Sequence, residues 1–194
     1  MMNTNKDKQL LRQKCRLIRD SFGEKHIEKA SENACQLLVQ THEFLTADTI
    51  LLYYPTKNEI SPLSVCLVAQ KMGKKVALPV CDMEQTTLTF RVISSTDEAI
   101  PSHFGICEPP LTNEFPILTE RTLVLVPALA FSKKGQRLGY GKGFYDRFLS
   151  DFKGIIAGFS YSELVFDEIP SEEHDIPLDM LITESEVLYF AEKA

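Results

Sequence analysis

The densest chemistry in the chain lies in RLGYGKGFYDRF, Arg137 to Phe148, where three glycines fall on alternate positions with a lysine between the last two. Glycine reaches backbone conformations closed to other residues and lets amide N–H groups come close to an anion. A helix starting directly after Gly143 would aim its own N-terminal amides at the same place. Lys142, Arg137 and the preceding Lys133 and Lys134 add positive charge, so the chemistry on offer is phosphate binding. A glycine turn that only joins a strand to a helix has the same glycines, and on these alone both readings stand. The order strand, glycines, lysine, helix favours phosphate. The segment is neither a P-loop, because Gln136 and Gly143 stand where a glycine and a Ser or Thr belong, nor GxGxxG, because Phe144 takes the last glycine position.

Carboxylates flank this loop. Asp146 opens the next helix, where it either complements the helix dipole or, beside a phosphate, holds magnesium. HDIPLD, His174 to Asp179, offers Asp175 as a second oxygen ligand or as a loop and capping residue; His174 reads as a hydrogen-bonding loop histidine. Glu59, in YYPTKNEISP, follows an apolar run, and Tyr53 and Tyr54 there either stack on a planar ligand or pack in the core. Lys8, Arg12, Arg16 and Arg19 share one stripe of a helical pattern, opposite Leu11, Cys15, Ile18 and Phe22. Such a stripe is a solvated face or a contact for phosphate or carboxylate. Five cysteines, an odd number with no CxxC pair, argue against zinc or a disulfide framework. Cys81 and Cys107 lie near turns, without an obvious base beside them.

The elements that must position these residues alternate. After the first helix, Ser21 and Glu24 have capping-box spacing, and Ile27, Ala30, Ala34, Leu37 and Leu38 mark a second helix. TILLYYP (49–55) reads as a buried strand, PLSVCLVAQKMG (62–73) as a helix with proline in its first turn and glycine at its end, and KKVALPVC (74–81) as a strand. TLTFRVI (87–93) is a half-buried strand, and RTLVLVPALAF (121–131) a central parallel one. A helix from about 144 to 152 and strands at 154–160 and 179–185 complete the alternation. The expected fold is a single α/β domain over residues 1–194, three-layered, with a largely parallel central sheet and helices on both faces. Residues 94–119, rich in proline, form an irregular surface excursion. In such a sheet ligands bind at the carboxyl ends of strands, where the glycine segment and Glu59 both fall.

Composition limits the function. The 194 residues are 44% hydrophobic and 25% charged, which suits one globular domain, and the net charge of −6 argues against a general nucleic-acid or anionic-membrane surface. The polar N-terminus lacks a signal-peptide core, and no apolar run approaches the roughly 20 residues of a membrane span. The expected location is cytoplasmic, with small-molecule partners and no obligate protein partner.

Lys8-x-x-Leu11-Arg12, YYPTKNEIS, FGICEP, LVPALAF with GQRLGYGKGFYDRFL, and HDIPLDMLITE keep their order over nearly the whole chain, and together they resemble the 5-formyltetrahydrofolate cyclo-ligase family, also called methenyltetrahydrofolate synthetase. The resemblance implies an α/β enzyme that converts 5-formyltetrahydrofolate and ATP, with Mg2+, into 5,10-methenyltetrahydrofolate, ADP and phosphate through an iminium phosphate. It implies Lys8 and Arg12 at ATP, with Arg12 also near the folate, and Tyr54 and Glu59 at the folate. Arg137, Leu138, Gly139, Tyr140, Gly141, Lys142, Gly143, Phe144 and Tyr145 would surround ATP, with Tyr140 to Phe144 also facing the folate. Lys142 and Arg137 would neutralise the transferring phosphoryl group, and Asp146 and Asp175 would hold magnesium. Many relatives carry tyrosine at position 144 and some carry arginine at 140. A phosphate-binding isomerase or acyl-transfer enzyme on a similar sheet, and a non-catalytic nucleotide or folate sensor, are the competing readings of the same pockets.

Overall fold

The structure is a computed structural model that describes residues 4–102, 105–172 and 175–190. His174 and Phe104 lie outside the described residues. Helices α1 (Thr4–Asp20), α2 (Glu24–Leu38) and α3 (His42–Thr46) precede β1 (Thr49–Leu51), α4 (Ser64–Lys71), β2 (Lys75–Asp82) and β3 (Thr87–Val92). Then come β4 (Ile100–Pro101), β5 (Cys107–Glu108), β6 (Thr122–Val126), β7 (Ala130–Ser132), β8 (Arg137–Leu138) and α5 (Phe144–Leu149). The chain closes with β9 (Ile155–Phe159), β10 (Val165–Phe166), β11 (Met180–Ile182) and β12 (Val187–Tyr189).

The main sheet has seven strands in the order β12-β11-β9-β6-β1-β2-β3. Its five central strands pair in parallel, and the outermost pairs, β2 with β3 and β11 with β12, are antiparallel. Alternation within β6 explains why that strand is apolar throughout. Leu123 and Leu125 enter one core cluster and Val124 and Val126 the other, so both faces are buried. The first cluster receives Cys15 of α1, Ala34 and Leu38 of α2, Phe44 of α3 and Val65 and Ala69 of α4. The second receives Leu149 of α5, with Phe144, Tyr145, Phe148 and Phe152 packed against it. Helices therefore cover both faces as expected, four against one.

Several expectations need correction. The run 121–131 is not one strand. Pro127 has no N–H to give to a ladder, and the chain leaves the main sheet there to form β7, which pairs with β8 and β10 in a separate three-stranded sheet. The glycine segment thus follows a hairpin rather than the central strand, and Gly135 turns that hairpin at φ +78. The Ser21 and Glu24 capping box is absent: Gly23 is the N-cap of α2, and Ser21 Oγ instead donates to the Ile18 carbonyl at 2.6 Å. Helix α5 is only six residues long, shorter than the expected 144–152. The excursion at 94–119 carries a 3-10 turn at Thr96–Glu98 and the β4–β5 pair. Helix α3 and β12 were not anticipated at all.

Gly158, in β9, has the most crowded side-chain environment. A Cβ there would lie 2.7 Å from the Phe131 ring and 2.8 Å from both Leu178 and Leu181. Gly158→Ala is expected to lower stability by about 1–3 kcal/mol through overpacking, measured as a shift of the denaturant midpoint at unchanged slope.

Candidate active site

Helix α1 is held in place by its basic stripe. Lys8, only 7% exposed, gives its ammonium to Glu172 at 2.8 Å and Asp175 at 3.0 Å. One turn on, Arg12 donates from Nε to the Gly139 carbonyl at 2.9 Å. Two turns further, the buried Arg19 lies with Nη1 3.4 Å from Glu59 Oε1. Only Arg16 of the four is exposed to solvent. The solvated-face reading of this stripe is therefore replaced by a docking face with three inward cations. Burial opposes the charge on Lys8, but Glu172 and Asp175 outweigh it and leave its pKa above the ordinary lysine value.

Arg12 ties α1 to the glycine loop at close range. Gly141 has φ +94, a conformation that requires glycine, and a Cβ there would be in van der Waals contact with the Arg12 guanidinium at 3.4 Å. Gly143, at φ +69, is the N-cap of α5. Gly139 keeps an ordinary φ, against expectation; what it supplies is the carbonyl that Arg12 holds. Arg147 braces the loop from the far side, donating to the carbonyls of Lys142 and Thr86 at 2.7 Å each. Lys142 itself is exposed and close enough to the Cys81 thiol to act on it electrostatically.

Arg137 stands between the two carboxylates expected at magnesium. Its Nη2 bonds Asp146 Oδ1, its Nη1 donates to the Ile176 carbonyl at 2.6 Å, and Asp175 also acts on its charge. Burial is the larger influence and draws this guanidinium below its usual pKa, with both carboxylates opposing. The Asp146 side chain remains 35% exposed beyond its bond to Arg137. Asp175 Oδ2 accepts from the Glu172 backbone N–H at 2.8 Å as well as from Lys8. Among the described residues no three His, Cys, Asp or Glu side chains group as a protein-only cage. Two carboxylates that both act on Arg137 do suit magnesium, which commonly keeps waters and phosphate oxygens as its other ligands.

At the other end of the loop, Glu59 is buried at the carboxyl end of β1. The Thr56 N–H and Oγ1 donate to its Oε2 at 2.8 and 3.0 Å, and the Tyr140 hydroxyl donates to its Oε1. Tyr54 packs partly buried on the core, and Cys107 of the 94–119 excursion is near enough to act on its hydroxyl. Glu108 closes that excursion onto the Cys81 N–H at 2.9 Å. The Cys81 thiol is pushed up to about 11, by burial first and Glu108 second, which makes it a poor nucleophile at neutral pH.

Three expected contacts move. Lys133 and Lys134 do not reach the loop; they pair with Asp167 and Glu168 beside the β7–β8 hairpin. The Leu138 side chain is in the core, so only its backbone faces the loop. The Phe144 ring packs on the second core cluster with the Arg147 guanidinium 5.8 Å from its centre. The site also gains residues that sequence reasoning left out, namely Arg19 and Glu172. Arg19 was legible as the last member of the basic stripe, whereas Glu172 carried no signal.

The sequence profile of the 5-formyltetrahydrofolate cyclo-ligase family matches residues 4–184. The chain belongs to the 5-formyltetrahydrofolate cyclo-ligase family. Its relatives include the cyclo-ligase of Haemophilus influenzae, 33% identical across 93% of this chain and 100% of that protein. The Escherichia coli K12 cyclo-ligase is 27% identical, over 82% of this chain and 91% of its own length. Among solved structures, the 5,10-methenyltetrahydrofolate synthetase of Aquifex aeolicus superposes with a TM-score of 0.83 at 32% identity, covering 96% of this chain and 94% of that one. The resemblance drawn from the motifs and the reading of the chain as a cyclo-ligase-family enzyme are both borne out, as is the mostly parallel α/β sheet. Among the described residues no helix is long and apolar enough to cross a membrane.

One buried polar atom in this cyclo-ligase-family site has no protein partner among the described residues. Among the described residues the Tyr145 hydroxyl is buried without a hydrogen bond, and Cys81, Glu59 and Arg137 all act on it electrostatically. Burial drives its pKa well above that of free tyrosine. An unpaired buried hydroxyl costs stability. Tyr145→Phe is therefore expected to leave the chemical-denaturation free energy of the unliganded protein unchanged or raised by up to about 1 kcal/mol; a clear loss would mean that the hydroxyl has a partner.

Proposed function

We propose that this protein catalyses the ATP-dependent cyclisation of 5-formyltetrahydrofolate to 5,10-methenyltetrahydrofolate, releasing ADP and phosphate. The observation that carries the reading is that Arg12 holds the glycine loop at Gly139, Arg137 opens that loop bonded to Asp146, Lys8 one turn before Arg12 holds Asp175, and Glu59 meets the loop through Tyr140. Cations, loop amides and carboxylates at one end suit a nucleoside triphosphate. A buried carboxylate at the other suits the N–H edge of a pterin ring.

In this reading Glu59 accepts paired hydrogen bonds from the pterin and Tyr54 lies against it. ATP enters along the loop, where Lys142, Lys8 and Arg12 meet its phosphates together with the backbone of 137–145. The formyl oxygen attacks the γ-phosphorus, the bond to the ADP oxygen breaks, and an N5-iminium phosphate forms. N10 then adds to the iminium carbon and loses its proton, and expulsion of inorganic phosphate leaves the N5–C–N10 amidinium of the methenyl product. Phosphoryl transfer of this kind asks the protein mainly for positioning and charge neutralisation. Arg137 and Lys142 supply the charge, and the unpaired Tyr145 hydroxyl supplies a donor between the formyl and phosphate ends. Asp146 and Asp175 would hold magnesium, which when bound adds further neutralisation of the phosphates. No side chain has to become covalently attached, which agrees with the unreactive Cys81 thiol.

The decisive assay mixes protein, 5-formyltetrahydrofolate, ATP and magnesium and follows the ultraviolet absorbance of the methenyl product. ATP-dependent product is expected; a folded protein that makes none overturns the reading. In the same assay Lys142→Ala should lower kcat/KM at least about tenfold, since it deletes a charge aimed at the phosphates. Asp146→Asn should raise the magnesium concentration needed for half-maximal rate. A titration that superposes on that of the parent protein would leave Asp146 as the partner of Arg137 alone.

A further inference from the structure

The third inward cation of α1 serves neither the phosphates nor the magnesium carboxylates. Arg19 is at the far end of the stripe from Lys8, and its side chain is 8% exposed against 7% for that of Glu59. A carboxylate so buried is costly unless a cation and hydrogen bonds compensate it. Here each oxygen has its own holders. Thr56 fixes Oε2 through both its N–H and its hydroxyl, while Oε1 meets Arg19 Nη1 at 3.4 Å and the Tyr140 hydroxyl. The Arg19 guanidinium also lies 5.7 Å from the Tyr140 ring centre, and the two groups act on each other electrostatically. A cavity of about 10 Å³ adjoins the pair, lined among others by Arg19, Tyr53, Glu59, Ser160 and Tyr161.

The arrangement is asymmetric in a useful way. Thr56 lies three residues from Glu59 on the same loop and moves with it. Tyr140 is 41% exposed and belongs to the glycine loop, so its hydroxyl reaches Glu59 from neither α1 nor the 56–59 loop. We propose that Arg19 is a positioning residue for the pterin pocket, holding Glu59 charged and in register, and that the Tyr140 hydroxyl is a placeholder which the amino and ring N–H donors of a 2-amino-4-oxo ring displace. The proposal rests on the reading of Glu59 as the pterin acceptor. Arg19 touches no substrate itself; it acts through Glu59. Its loss removes binding that is equal in the ground and transition states, which appears in KM for the folate and not in kcat or in KM for ATP.

The test compares Arg19→Met, Arg19→Lys, Glu59→Gln and the double variant Arg19→Met/Glu59→Gln, with melting temperature, kcat and both KM values measured for each. Arg19→Met is expected to raise KM for 5-formyltetrahydrofolate at least about tenfold, the scale of a lost charge-assisted hydrogen bond, with KM for ATP changed less than about twofold. Arg19→Lys, which keeps the charge, should recover part of that loss. The double variant should be no worse for folate than Glu59→Gln alone, because both changes act on one contact. It also avoids an unpaired buried charge if Arg19→Met fails to fold, and Arg19→Lys then carries the KM comparison. If Glu59→Gln weakens folate binding while both Arg19 variants keep the parental folate KM, the Arg19 proposal fails and the Glu59 reading survives. If Glu59→Gln leaves folate KM unchanged, the Glu59 reading fails and takes the proposal with it.

Discussion

The docking of α1 through buried charge is the constraint on which the candidate site depends. The helix buries Cys15 and partly buries Leu11 and Ile18, while Leu10 and Leu17 face solvent, so its apolar contact with the core is narrow. Lys8, Arg12 and Arg19 do the rest. Each takes a partner from a different part of the chain: the 172–175 segment, the glycine loop and the loop after β1. Those three segments have no ladder in common, and it is the stripe of one helix that gathers them. Breaking any one contact would leave a buried charge or carbonyl without its partner, which is dearer than the net worth of the contact itself.

Pro127 sets the second condition. A continuous strand from 121 to 131 would carry Arg137 away in line with β6. The chain instead leaves the ladder at the proline and turns through the β7–β8 hairpin, which returns Arg137 and Leu138 to the core. Leu138 anchors the loop from inside and accepts the Leu129 N–H at 2.8 Å, so the glycines begin from a fixed point. Their freedom is then used at two places, Gly141 beneath Arg12 and Gly143 at the start of α5. The flexible composition of this segment describes a loop pinned by Arg12 on one side and Arg147 on the other.

The fold was legible because the central strands are apolar on both faces and the helices are periodic; β1, β6, β9 and β11 lie within the runs that sequence marked, and β2 passes the end of its run by one residue. What was not legible depended on side-chain direction. Lys133 and Lys134 carry the same charge as Lys8 and stand nearer the glycines in sequence, yet their acidic partners lie at 167 and 168, across the small sheet. The basic stripe of α1 has the spacing of an ordinary solvated face. Nothing in its composition tells that Asp175, Glu59 and a carbonyl wait beneath it, because those acceptors are brought there by tertiary structure. The β7–β8–β10 sheet was missed for a related reason: its strands are two or three residues long, below the length at which a period can be counted.

Most charges of the site are paired internally before any ligand arrives. Arg137 is matched by Asp146, Lys8 by Asp175 and Glu172, and Arg19 by Glu59. On the proposed function, a polyphosphate that takes Lys8 and Arg137 would leave their carboxylates without cations. Asp146 and Asp175 would hold magnesium arriving with the nucleotide, and its charge would offset that deficit. Glu59 is different, because its partner Arg19 is buried away from the phosphates and a neutral pterin edge brings no charge to exchange. The two ends of one loop thus favour different ligands through the same device, a carboxylate held by a cation. At one end the cation is there to be shared; at the other it is there to stay.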